Sequence, residues 1–123
     1  MTDFVSGSIS IGADLVIIQE MLVEHRCIEE WEKGFESFKE LHVSDGMKTI
    51  VHWDIKYDID YLFSVTENND SVLLELIIGD LTKLPSERHS LEEMQYYVDT
   101  VLYRVKTMSE RIQVAIAHDQ CTS

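Results

Sequence analysis

The residues in this chain whose types and spacing could do chemistry are few, and they gather in its middle. His52 and Asp54 stand two apart in a run that alternates apolar and polar, so they share one face of a strand and could couple as base and orienting acid. That face also carries Lys48 and Lys56, which marks it as the solvated one. Tyr57, Asp58, Asp60 and Tyr61 cluster around a turn, where the Tyr61 hydroxyl could donate to a carbonyl of a ligand. His42 lies across an Asp45-Gly46 hairpin from the strand bearing His52, and two histidines with an acid are the beginning of a metal site, but no third ligand has suitable spacing. No metal and no cofactor are expected. His25, His89 and His118 fall near helix ends and read as exposed termini. There is no GxSxG, no P-loop and no HExxH, so no catalytic set is written in the sequence.

The elements that must position these residues follow from periodicity. From Ser90 to His118, apolar residues at Leu91, Met94, Val98, Val101, Val105, Met108, Ile112 and Ala115 advance in steps of three and four, which is one face of a long α-helix. Ser90 and Glu93 have capping-box spacing at its start. A stripe that long must lie against something broad, and the upstream chain supplies a set of strands. Although Tyr96 to Lys106 is rich in β-formers, the sustained spacing and the cap favour helix there.

Val5 to Ile11 alternates, with Ser6, Ser8 and Ser10 on its polar side: a half-buried strand. After Gly12-Ala13, with Asp14 placed to cap, Leu15, Ile18, Met21 and Leu22 predict a helix of about ten residues. Glu24-His25-Arg26 breaks it from a second short helix, Cys27 to Lys33, which Gly34 can end. From Phe35 the period becomes two. Strands are predicted through Phe38, Leu41 and Val43 to Ser44, then over Lys48 to Lys56, Ile59 to Thr66 and Ser71 to Ile78. In the second of these, Thr49, Val51, Trp53 and Ile55 form the apolar face, Ile50 being the exception. Glu67 to Asp70 reads as a turn. The last strand is apolar on both faces, so it is interior to the sheet or covered outside by a second subunit. Gly79 to His89, with Pro85, leads into the long helix. The expected architecture is one α+β domain over residues 1–123, in the order β-α-α-β-β-β-β-α, an antiparallel sheet of about five strands packed on the C-terminal helix.

Composition bounds the partners. Ten basic and 23 acidic residues give a net charge of −13. Such a field repels phosphate backbones and anionic headgroups, so neither nucleic acid nor a charged membrane surface is an expected partner. The longest apolar runs fall far short of the roughly twenty residues a membrane span needs. Cys27 and Cys121 form no CxxC, and the N-terminus has no signal-peptide pattern, so the expected location is the cytoplasm.

The first fifty-five residues resemble the START-like (SRPBCC, helix-grip) superfamily, which includes polyketide cyclases. The resemblance rests on a first strand ending Ile11-Gly12-Ala13, an apolar helix through Ile18 and Leu22, Trp31 as a packing anchor, Phe35-Glu-Ser-Phe-Lys entering the second strand, and Thr49 to Ile55 with Trp53 as the third. The terminal helix also fits. This chain departs from the family pattern in having no room between Gly79 and Ser90 for the last two strands, which implies a shortened, more open grip and favours a homodimer. What the resemblance implies is binding of a small apolar molecule between sheet and helix, extending to cyclase-type activity. The residues at the corresponding faces are Trp53, Tyr61, Phe63 and Leu74 from strands and Met94, Val98, Val101 and Met108 from the helix. The alternative is a noncatalytic interaction module, since small acidic secretion chaperones are also α+β, dimeric and closed by an amphipathic helix.

Overall fold

A computed structural model describes residues 4–32, 38–44, 48–54, 58–79, 81 and 91–122. The elements are β1 (Val5–Ile11), α1 (Leu15–Val23), α2 (His25–Trp31), β2 (Phe38–Ser44), β3 (Thr49–Asp54), β4 (Ile59–Asn68), β5 (Ser71–Gly79) and α3 (Leu91–Thr122). The order is the one periodicity predicts. The sheet has five antiparallel strands arranged β1-β5-β4-β3-β2. Consecutive strands β2 to β5 form a meander, and β1 joins at its far end beside β5, so β5 is interior to the sheet, while Ile77 on its outer face is 37% exposed.

Several boundaries move. The second helix begins at His25 rather than Cys27, and β4 continues through Asn68, leaving Asn69-Asp70 as the turn. Asp14 makes no side-chain cap; its backbone carbonyl accepts from Ile17 and Ile18, and its own N–H donates to Gln113 Oε1. Asp58 takes a positive φ of 55°, a conformation a short polar side chain tolerates, and starts the turn into β4. The expected Asp45-Gly46 hairpin, the Gly34 stop, the Pro85 connection and the Ser90 cap lie outside the described residues.

The inner face of the sheet is a continuous apolar surface. Register places Ile50 opposite Phe63, Phe63 opposite Leu76 and Val65 opposite Leu74, and all five are buried. Val72, Leu74, Leu76 and Ile78 of β5 point inward, while Leu73 and Ile77 point out. α3 lies against β1 and, more lightly, β5, presenting Val98, Val101, Leu102 and Val105. The other half of the inner face is covered by α1 and α2, whose Ile18, Met21, Leu22, Ile28 and Trp31 join the same buried cluster.

Two features let α3 approach β1. At Gly7, a Cβ would stand 2.9 Å from Val98 Cγ1 and 3.1 Å from Leu102 Cδ1, so the helix sits closer than any side chain on that strand position would allow. Along the free edge of β1, α3 side chains take the backbone groups that no strand pairs with. Gln95 Nε2 donates to Ser6 O at 3.0 Å and Lys106 Nζ to Ser10 O at 2.9 Å, while Gly12 N–H donates to Glu110 Oε2 at 2.8 Å. An unpaired edge is a template for another strand, and these side chains close it.

The expectation for β3 is reversed in one respect. Ile50 and His52 face the core, and Thr49, Val51 and Trp53 face the outside. Both faces of this strand carry apolar residues, so alternation alone does not choose between them. The choice is made by register with β4, which sets Ile50 beside Phe63 and His52 beside Tyr61 on the side that α1 and α2 cover.

Candidate functional site

The end of α1 leaves carbonyls without intrahelical partners. Two of them are taken by side chains from other elements: Trp31 Nε1 donates to Met21 O at 2.8 Å, and His52 Nε2 lies 2.8 Å from Leu22 O. A carbonyl oxygen only accepts, so Nε2 of His52 carries the proton. His52 is therefore not on a solvated face; it is 2% exposed and packs among rings. Trp31, His52 and Phe63 meet pairwise edge to face, with centroids 5.9 Å apart for Trp31–His52, 5.4 Å for Trp31–Phe63 and 5.7 Å for His52–Phe63. This trio plugs the half of the grip beneath α1 and α2. His42 pairs in register with Val51, not with His52. Among the described residues no group of three or more His, Cys, Asp or Glu could hold a metal.

Of the eight residues expected to line a ligand site, Phe63, Leu74, Val98 and Val101 come together in the buried cluster. Tyr61, Met94 and Met108 pack against its margin and stay partly exposed. Trp53 does not join them: it lies on the outer face, where its Nε1 donates to Asp58 Oδ1 at 2.9 Å. Tyr97, which the sequence reading passes over, takes the place at the rim. Its ring meets that of Tyr61 edge to face at 6.3 Å between centroids, bridging α3 and β4. The signal for it was present, since Tyr97 follows Met94 by three positions at the border of the helix stripe. The arrangement is thus a filled aromatic and aliphatic floor with a half-open margin built from Tyr61, Tyr97 and Met94.

Away from this margin, a cavity of about 380 Å³ lies at the far end of the sheet, between Gly12–Leu15, the β4–β5 turn and Gln113. Its walls carry Asp14, Glu67 and Asp70 and are mostly polar, which does not suit an apolar guest. No helix among the described residues is long and apolar enough to cross a membrane.

No protein-family model matches this chain, and no curated protein matches it in sequence. Solved structures do match in fold. The chain is similar to the solution structure of the Aha1 dimer from Colwellia psychrerythraea, with a TM-score of 0.66 at 9% identity, over 88% of this chain and 96% of that one. It is similar to the KanY protein, with a TM-score of 0.65 at 10% identity over 89% and 99%, and to the hypothetical protein jhp0584 of Helicobacter pylori, at 0.53 and 12% over 89% of each. With the element order and the long helix closing on an antiparallel sheet, these matches show the fold to be a helix grip. At such identities they speak to fold alone.

Proposed function

We propose that this protein binds a small hydrophobic or aromatic molecule at the margin between α3 and the sheet, with Tyr61, Tyr97 and Met94 as its first contacts. The observation that carries the reading is the Tyr61–Tyr97 pair, two partly exposed aromatic rings that meet across the mouth of the grip above a fully buried floor of Phe63, Leu74, Val98 and Val101. Rings with a polar tip, and the adaptable thioether of Met94, suit a flat guest that buries its faces and keeps one polar edge in water. A cyclase-type step at that margin would draw on the Tyr61 hydroxyl as a donor to a guest carbonyl. The partners in this reading are the small molecule and a second copy of the chain, in the cytoplasm. The noncatalytic interaction module is a second reading, favoured by the exposed Tyr96, Tyr103 and Val114 on α3.

Titration with an environment-sensitive apolar dye, followed through tryptophan fluorescence, tests the first reading. Saturable binding is expected, weakened about tenfold, or about 1.4 kcal/mol, by Tyr97→Ala. A folded wild-type protein that shows no saturable binding would overturn it.

A further inference from the structure

The outer face of the sheet is written in two ways. β1 turns Ser6, Ser8 and Ser10 outward, the polar side expected of an antiparallel sheet with one wet face. β3, β4 and β5 turn Val51, Trp53, Leu62 and Ile77 the same way. Register sets Val51 beside Leu62 and Leu62 beside Ile77, so an apolar row crosses three adjacent strands. The three helices pack on the opposite face. Carboxylates flank the row. Asp60 precedes Leu62 by two positions on β4 and Glu75 precedes Ile77 by two on the antiparallel β5, so they fall on opposite sides of the row, each about 7 Å from it. Both are exposed, and neither has a hydrogen bond or ion pair among the described residues. In register Asp60 stands between Trp53 and Gly79, and the ring of Phe4 lies on Gly79 in space that a Cβ would fill.

We infer that this face binds a basic amphipathic helix of another protein. Charge selects the occupant, and it does so in any orientation: β1, β3, β4 and β5 contain no lysine and no arginine. A second copy turned face to face sets carboxylates of these strands against carboxylates, and an anionic lipid surface is repelled for the same reason. A partner with Lys or Arg beside its apolar residues meets both the row and the two acids. At Asp60 such a side chain finds a carboxylate with an aromatic residue on either hand. The partner is helical because the face offers side chains alone. A segment docked there must satisfy its own backbone groups, which a helix does and an extended chain does not. From Val51 to Ile77 the row spans two strand spacings, about 10 Å, close to the two turns that separate positions i and i+7. Apolar residues at i, i+4 and i+7 match it, with bases on both borders of the stripe. The surface is separate from the ligand margin, which lies on the inner face, so either can fail without the other.

The test is an NMR titration of the isotope-labelled full chain with a synthetic peptide of about fifteen residues, made only of leucine and lysine and patterned as an amphipathic helix. A leucine and glutamate peptide of the same pattern is the control. Saturable shifts at the Val51, Leu62 and Ile77 amides are expected with the first peptide and none with the second. Asp60→Lys together with Glu75→Lys should weaken the first by about tenfold or more and let the second bind. Glu29→Lys with Glu30→Lys, at exposed positions of α2, alters the net charge of −13 by the same amount and should change affinity less than about twofold. Leu62→Ser, checked for unchanged circular dichroism, should weaken binding by about tenfold through the row alone. A folded wild type without saturable shifts, equal effects of the two charge pairs, or shifts confined to α3 and the inner margin overturns the inference. So do outer-face amides that move with protein concentration alone, the mark of a second copy on this face.

Discussion

Trp31 and His52 take neighbouring carbonyls at the end of α1, Met21 O and Leu22 O, each at 2.8 Å, and their rings meet edge to face. Two elements far apart in sequence are thus tied to one helix end by buried donors. A buried carbonyl that loses its donor costs its desolvation, about 1–3 kcal/mol. His52→Leu and Trp31→Phe are each expected to lower the unfolding free energy by that amount in urea denaturation. The double variant should fall short of additivity by about 0.5–1.5 kcal/mol, the worth of the lost ring contact.

Phe63 and Tyr61 alternate along β4 on the same face but differ in burial, and truncation should separate them. Phe63→Ala empties a fully buried site and is expected to cost about 3–5 kcal/mol, while Tyr61→Ala at the margin costs less and weakens dye binding instead. Trp53→Ala, on the outer face, should leave dye affinity unchanged. Loss of binding on changing Trp53 would place the guest on the wrong side of the sheet for the proposed reading.

The closeness of α3 to β1 at Gly7 makes a specific demand. Gly7→Val drives a branched side chain into Val98 and Leu102 and is expected to cost about 1–3 kcal/mol or more. Val98→Ala in the same chain should return part of that loss. A full sum of the two single effects would mean that the clash is not with Val98.

Glu110 is held below the ordinary carboxylate value of 4.5, first by the hydrogen bond from Lys106 and then by that from the Gly12 N–H. Because the folded state favours the ionised form, its contribution is complete above the unfolded value and is lost as pH falls through the lowered folded one. The side chain is about a third exposed, so the effect is small. Glu110→Gln should flatten the acid limb of the stability curve below about pH 4.5 and speed hydrogen exchange at the Gly12 amide. An unchanged acid limb would show that the pair adds nothing in solution.

The element order was legible in the sequence because the period of a helix or a strand is local, carried by neighbours within a few residues. Leu91 to Ala115 declared a helix and Val5 to Ile11 a strand without reference to anything else, and the first strand, Trp31 and the final helix together were enough to suggest the helix grip. The two apolar faces of β5 were legible too, but left open whether the strand is interior to the sheet or covered outside, and the pairing with β1 and β4 made it interior.

What only the tertiary structure decided is which side of those elements faces what. Val51 and Trp53 offered as good an apolar face as Ile50 and His52, and the tie was broken by pairing with β4 and by a carbonyl at the end of α1, thirty positions upstream of His52. The sealing of the β1 edge by Gln95, Lys106 and Glu110 joins residues 89 to 98 positions apart, so no window along the chain contains it. Tyr97 entered the candidate site, and Trp53 left it, for the same reason: periodicity states that a side chain has a face, but burial of the whole sheet against three helices determines which face becomes the inside.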